Sequence, residues 1–198
     1  MKSRQIAVIG GLTVVVIIGG AFMVARGRYV NPVPDSFTQA RLQGALVAQN
    51  IVDLSNQLNE DVKRINQYDQ DRQFADAFAL TGELIQRSRD IRAKAVDLSQ
   101  ELEKMAQALP AIKDPEAQDA ALQSLTQRLA IIDRLINYSA YLSDLLDILR
   151  GRFAGQAQTQ EVSALIDKVN SEVTAINNFN RNAVQSTERF DRLVQERR

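Results

Sequence analysis

The side chains available for chemistry in this chain are carboxylates, amides, hydroxyls and basic groups, because the sequence contains no histidine, cysteine or tryptophan. It therefore lacks an imidazole base, a thiolate nucleophile, a Cys/His zinc site and a structural disulfide. The di-iron centre of many helical bundles also needs histidine, in its Glu-x-x-His pairs. No Gly-x-Ser-x-Gly, Ser-x-x-Lys or glycine-rich phosphate loop occurs. We predict that the protein is not an enzyme and has no catalytic, cofactor-binding or metal-binding residue.

The closely spaced charged residues are explained better as solvated groups than as a site. Asp69 and Asp71 fall in a polar turn without the glycine and terminal glutamate of a calcium loop. Glu101 and Glu103 lie two apart, which places them on different faces of a helix. The basic run at 87–94 is interrupted by an aspartate, so it favours a helix face with local ion pairs.

One polar segment is not explained by helical periodicity. The segment at 177–182 reads NNFNRN. Each asparagine in a helix costs about 0.5 kcal/mol relative to alanine. Asn177, Asn178 and Asn180 are therefore candidates for interhelical hydrogen bonds that fix the register of the helices. The alternative is that they line a small polar pocket beside Phe179.

The N-terminus has the pattern of a membrane anchor. Residues 6–25 contain no charged side chain and have two basic residues on each side. Twenty helical residues at about 1.5 Å each span the hydrocarbon core of roughly 30 Å. The run is longer than the apolar region of a signal peptide and ends without a small-x-small cleavage site. We predict a signal-anchor at 1–28 that contacts the lipid bilayer through residues 6–25.

The orientation of this predicted single-pass anchor is less strongly encoded, because the basic residues on its two flanks are equal in number. The very short tail before the apolar run favours an N-terminus in the cytoplasm and an extracytoplasmic body. The body has four more acidic than basic side chains, which disfavours binding to nucleic acid.

The rest of the chain is predicted to be all-α. Two prolines make residues 29–35 a short stalk. Residues 36–198 are predicted to form an up-down-up-down antiparallel four-helix bundle with coiled-coil-like packing. Proline and glycine signals place its helices at about 36–68, 71–109, 115–150 and 160–196. Asp114 is the expected N-cap of the third helix, and Pro115 its first residue.

The predicted helices carry apolar or small residues mainly at steps of three and four, the spacing of a buried helix face. The series of the first helix begins with a step of seven. The relevant stretches are Phe37, Gly44, Ala48 and Ile51 in the first helix, Phe74, Ala77, Thr81 and Leu84 in the second, Ala121, Leu125, Ile132 and Leu135 in the third, and Ile176, Phe179, Ala183 and Phe190 in the fourth.

The third helix is more apolar than one seam of a bundle requires. Tyr138, Tyr141, Leu145 and Ile148 form a second stripe beside the main series. If this stripe is exposed, it is a candidate surface for a protein partner or for self-association. The alternative is that neighbouring helices cover both stripes.

These features predict a membrane-anchored helical bundle that acts by protein–protein interaction, as a scaffold, tether or accessory subunit. The alternative is a ligand-sensing bundle with a small-molecule pocket near the asparagines and tyrosines, which signals through a partner. If a partner is met far from the membrane, the turns at 66–73 and 151–160 are the expected contact region.

Overall fold

The computed structural model describes residues 33–156 and 162–195. The predicted anchor at 6–25 lies outside these residues. Among the helices that the structure does describe, none has an apolar stretch long enough to cross a lipid bilayer.

Four long helices form a bundle, which confirms the all-α prediction. They are α1 (Asp35–Gln70), α2 (Phe74–Ala108), α3 (Pro115–Phe153) and α4 (Val162–Gln195). A single turn of 3-10 helix, Leu109–Ala111, follows α2. The predicted start of α3 is also confirmed, because the Asp114 side chain accepts hydrogen bonds from the amides of Glu116 and Ala117 at 2.9 and 3.4 Å.

Helices that follow each other in the chain pack against each other, and their buried faces form one hydrophobic core. Close approach of α2 and α3 is fixed by small hydroxyl residues. The Ser88 hydroxyl donates to the Ser139 carbonyl at 2.9 Å, and the Ser139 hydroxyl donates to the Ser88 carbonyl at 2.6 Å. These reciprocal bonds set the register of the two helices, since a shift along the axis breaks both.

The second apolar stripe of α3 is part of the interior, so of the two alternatives it is the one in which neighbouring helices cover both stripes. Tyr138, Leu145 and Ile148 are at most 6% exposed. Tyr141 is half-buried, and the Lys168 ammonium of α4 lies 5.1 Å from the centre of its ring. The stripe is covered because α3 packs on both α2 and α4 and therefore needs two apolar faces.

Candidate functional site

Two arginines are buried where the start of α1 meets α3 and the end of α4. Arg41 and Arg128 are only 4% and 3% exposed. Arg41 donates to both carboxylate oxygens of Asp191, at 2.6 and 2.8 Å, in a bidentate ion pair. Its guanidinium also lies 5.9 Å from the centre of the Phe190 ring. Together with two hydroxyl residues described next, these residues form what we call the buried arginine cluster.

The hydroxyl residues of the buried arginine cluster are Ser124 and Thr187. Arg128 donates from Nε to Ser124 Oγ at 3.2 Å and from Nη2 to Thr187 Oγ1 at 3.0 Å. The Thr187 hydroxyl donates to the Ala183 carbonyl at 2.8 Å. Its proton is therefore committed to that carbonyl, so Ser124 is the donor in the 2.8 Å contact between the two hydroxyls. Both hydroxyl oxygens thus turn lone pairs towards the Arg128 guanidinium.

The environment of Arg128 disfavours its charge but does not remove it. Burial, and then the neighbouring charge of Arg41, lowers the pKa of Arg128 to about 9. The guanidinium therefore remains charged near neutral pH. Beside it is a cavity of about 10 Å³, lined by the two arginines, the two hydroxyl residues, Phe37, Phe190, Met105 and Ala121.

The apolar series did not identify this cluster, but its interruptions mark it. Arg41 falls within the step of seven between Phe37 and Gly44, and Arg128 falls within that between Leu125 and Ile132. Thr187 fills the corresponding gap before Phe190. All three are buried. A missing step in a buried series is therefore the sequence signal of a buried polar residue in this chain.

A second region, where α2 begins and α3 ends, has aromatic rings on its surface. Phe74 and Phe78 are 47% and 36% exposed and lie one helical turn apart. The ring of Phe153 stacks on that of Phe74 at 6.4 Å between centres. The Arg150 guanidinium lies 4.7 Å from the centre of the Phe78 ring, a cation–π contact. We call these four residues the aromatic surface.

The prediction that Phe74 belongs to the buried series of α2 is wrong. It is the first residue of the helix, and the next residue of that series, Ala77, is the first that is fully buried. At the tip of a bundle the neighbouring helices end, so an apolar side chain in the first turn has little to pack against. The aromatic surface adjoins the two turns at which a partner was expected.

The turns beside the aromatic surface end α1 and α3 with the same backbone motif. In both, one amide bonds five residues back and the preceding amide three residues back, which is the Schellman motif. The residue in the left-handed conformation is Gly155 after α3, with φ of 76°, but Arg72 after α1, with φ of 59°. Arg152 links the two helix ends by donating to Asp69 at 3.0 Å.

The predicted asparagine site is distributed over different environments. Asn180 is buried, Asn177 is half-buried, and Asn178 is exposed and accepts a hydrogen bond from Arg181 on the same helix. The cavity of the buried arginine cluster and a polar groove of about 430 Å³ between the start of α1 and the end of α2 are both lined by other residues. The roles of these asparagines in register or in a pocket stay predictions.

The function of this chain has to be inferred from its own residues. No protein-family model, no curated protein and no solved structure matches it. Among the residues that the structure describes, no group of three or more carboxylates has the arrangement to hold a metal ion. The two regions that combine charge with aromatic rings are therefore the candidates for function.

Proposed function

We propose that this protein is a single-pass membrane protein whose helical bundle binds a protein partner through the aromatic surface, as a scaffold, tether or accessory subunit. Residues 6–25 form the anchor, the N-terminus stays in the cytoplasm and the bundle is extracytoplasmic. The anchor rests on the uncharged run of the sequence.

The proposed topology is an up-down-up-down antiparallel bundle with coiled-coil-like packing. It is supported by contacts between helix ends. Arg41 near the start of α1 pairs with Asp191 near the end of α4, and Asp69 at the end of α1 pairs with Arg152 at the end of α3. In this topology the aromatic surface lies at the end of the bundle away from the anchor, where a partner meets no steric hindrance from the bilayer.

The observation that carries the proposal is the pair of exposed rings at Phe74 and Phe78. Aromatic and arginine side chains are enriched at the centres of protein interfaces, where a few of them supply most of the binding energy. Here Arg150 covers one face of the Phe78 ring and Phe153 stacks on Phe74, so the side chains are held in place before a partner arrives. Such preorganisation reduces the entropy lost on binding.

Site-specific photo-crosslinking tests the proposal. A photoreactive amino acid at Ala75 or Ala79, both exposed beside the aromatic surface, should crosslink the full-length chain in its native membrane to one defined partner. Phe74→Ser with Phe78→Ser should abolish that crosslink while the helical content is kept and the melting temperature falls only slightly. The matched control is Leu42→Ser with Leu46→Ser, because these leucines of α1 are 48% and 54% exposed and also lie one turn apart.

The control should keep the crosslink. If neither pair of substitutions affects it, the aromatic surface is not the contact. If both pairs abolish it together with helical content, the loss reports unfolding and not the loss of a contact.

The proposed orientation has a simple test because the chain has no cysteine. Gln156, exposed after α3, is replaced by cysteine and treated with an impermeant maleimide in intact cells. Labelling is expected before lysis. Labelling only after lysis would reverse the orientation, and the partner would then have to be sought in the cytoplasm.

A further inference from the structure

We propose that two copies of this chain associate through the outer face of the seam between α2 and α3, about a two-fold axis parallel to the helices. Val96 of α2 and Leu122 and Leu129 of α3 are large apolar side chains that are 46%, 51% and 51% exposed. Beside them lie two exposed residues of opposite charge, Arg92 of α2 and Asp133 of α3. We call these five residues the seam surface.

The exposed leucines of α3 lie on the side of that helix that borders α2. Leu122 and Leu129 are seven residues apart, and Ser143 lies two further steps of seven along the helix. Seven residues make about two turns, so these side chains share one side of α3. The Ser143 hydroxyl donates to Ser88 Oγ of α2 at 3.2 Å. The line of leucines therefore runs along the seam.

Val96 borders the same seam from α2. It lies fourteen residues, about four turns, after Gly82 and therefore on the same side of the helix. A β-carbon added at Gly82 would lie 3.9 Å from the guanidinium carbon of Arg150, which belongs to α3. The exposed Val96 side chain is thus on the flank of α2 that faces α3.

The apolar side chains of the two helices lie at similar heights and form one patch. Ser88 of α2 bonds to Ser139 of α3. In the proposed antiparallel bundle, Val96 lies eight residues from Ser88, and Leu129 lies ten residues from Ser139 in the same direction. At about 1.5 Å per residue, their heights differ by about 3 Å. Leu122 extends the patch by two further turns.

The charges beside the patch favour a second copy as its occupant. Among the described residues, neither Arg92 nor Asp133 belongs to an ion pair. Counted from the same serine pair, Arg92 lies four residues and Asp133 six residues along the seam, so their heights also differ by only about 3 Å. The seam surface therefore presents a positive charge on one side and a negative charge on the other, at nearly the same height.

A two-fold axis along the seam makes this pattern complementary to itself. Such an axis places α2 of one copy on α3 of the other and leaves the heights unchanged. Val96 of each copy then meets Leu129 of the other, and Arg92 of each copy meets Asp133 of the other. Every contact occurs twice, so the pair covers both apolar sets and neutralises both charges.

The same axis agrees with the proposed anchor, because it lets both copies enter one bilayer in the same orientation. This agreement rests on the proposed function, whereas the apolar patch and the charge pattern do not. Val96 lies eighteen residues, about 27 Å, along α2 from Phe78, so self-association and binding of another protein use different residues. Both aromatic surfaces would lie at the same end of the pair.

Cysteine crosslinking of the full-length chain in its native membrane tests the proposal. The chain has no cysteine, and residue 129 lies beside the two-fold axis. A short bismaleimide should link Leu129→Cys to a second copy of the same chain. Leu42→Cys is the matched control, because Leu42 is 48% exposed but belongs to α1, and it should stay unlinked. Equal linkage at the two positions, or none at residue 129, would overturn the proposal.

Exchanged charges test the geometry of the pair. In the Leu129→Cys background, Arg92→Asp and Asp133→Arg each place like charges against each other in both halves of the pair. Each should lower the linked fraction at least about fivefold. When two differently tagged chains are co-expressed, one with Arg92→Asp and the other with Asp133→Arg, every contact again joins opposite charges. Linkage between the two tags should then return to the level without charge changes.

Recovery in the mixture also shows that both charge variants fold. Unchanged linkage in the single variants, or no recovery in the mixture, would overturn the proposed pairing. The crosslink at Ala75 reports the partner of the aromatic surface, and the linkage at residue 129 reports self-association, so the two proposals fail separately.

Discussion

The buried arginine cluster and the aromatic surface use the same residue types in opposite environments. Each places an arginine against a phenylalanine ring, Arg41 against Phe190 and Arg150 against Phe78. An arginine–aspartate pair between distant parts of the chain belongs to the cluster, Arg41–Asp191, and another lies beside the aromatic surface, Arg152–Asp69. The first set is buried among residues of all four helices, whereas the second faces solvent where helices end.

This difference decides what the same contacts contribute. In the enclosed region the arginines are shielded from bulk water, so the loss of their ion pair or hydroxyl ligands is expected to destabilise the fold. In the exposed region water solvates the same groups when no partner is present, and the ion pair contributes little to stability. A buried cluster therefore specifies the packing of the helices, and an exposed one remains available for binding.

The largest expected effect comes from breaking the buried ion pair. Asp191→Asn leaves Arg41 and Arg128 without their described carboxylate and should lower the free energy of unfolding by about 3 kcal/mol. Asp69→Asn, which breaks the exposed pair with Arg152, should cost less than about 1 kcal/mol. Urea denaturation of both variants measures the two losses.

The comparison fails if the two losses are equal. A small loss at Asp191 would mean that solvent already reaches the cluster, and a large loss at Asp69 would mean that the Arg152 pair holds α1 to α3. The slope of each transition with urea should stay unchanged, since neither substitution alters the surface exposed on unfolding.

Much of the architecture was predictable because helices are encoded locally. Proline, glycine and capping residues such as Asp114 mark their ends, and steps of three and four mark their buried faces. The buried arginine cluster was not predicted, because apolar periodicity identifies only apolar residues, and Arg41 and Arg128 occupy gaps in the apolar series. Those gaps are visible in the sequence, so the signal was present.

The exposure of individual apolar residues was harder to predict, because it depends on neighbours that are distant in sequence. Tyr138 and Leu145 are covered by helices that pack on two sides of α3, while Phe74 lies where those neighbours end. Periodicity assigns a residue to a face of its own helix, and it does not reveal how far the next helix extends along that face.

The second-largest effect on stability is expected at Tyr138, which lies on α3 between the buried arginine cluster and the aromatic surface. Its ring is fully buried, and its hydroxyl has no hydrogen-bond partner among the described residues. Unlike the arginines of the cluster, it is a polar group in the core without a described ligand. Tyr138→Phe should raise the free energy of unfolding by about 1 kcal/mol, because it removes an unsatisfied hydroxyl from the core with little change in shape.

The Tyr138 hydroxyl also predicts a pH dependence. Burial raises the pKa of Tyr138 above its ordinary value of about 10. The folded protein therefore holds this proton at a pH where the unfolded chain releases it, and stability falls as the pH rises above about 10. The advantage of Tyr138→Phe over wild type should widen in that range. An advantage that is constant with pH would show that the hydroxyl ionises as readily in the core as in water.

The smallest effect tests why the exposed region keeps an unfavourable backbone conformation. Arg72 adopts the left-handed conformation that Gly155 adopts in the matching turn, at a cost of about 1 kcal/mol for a residue with a side chain. Arg72→Gly removes this cost and should raise the free energy of unfolding. The net gain is only about 0.5 kcal/mol, because glycine loses more backbone entropy on folding. Gly155→Ala should lower it by about 1 kcal/mol.

If the exposed Arg72 side chain contacts the partner, Arg72→Gly should weaken the crosslink at Ala75 while stabilising the bundle. An unchanged crosslink would limit the partner contact to the aromatic surface itself.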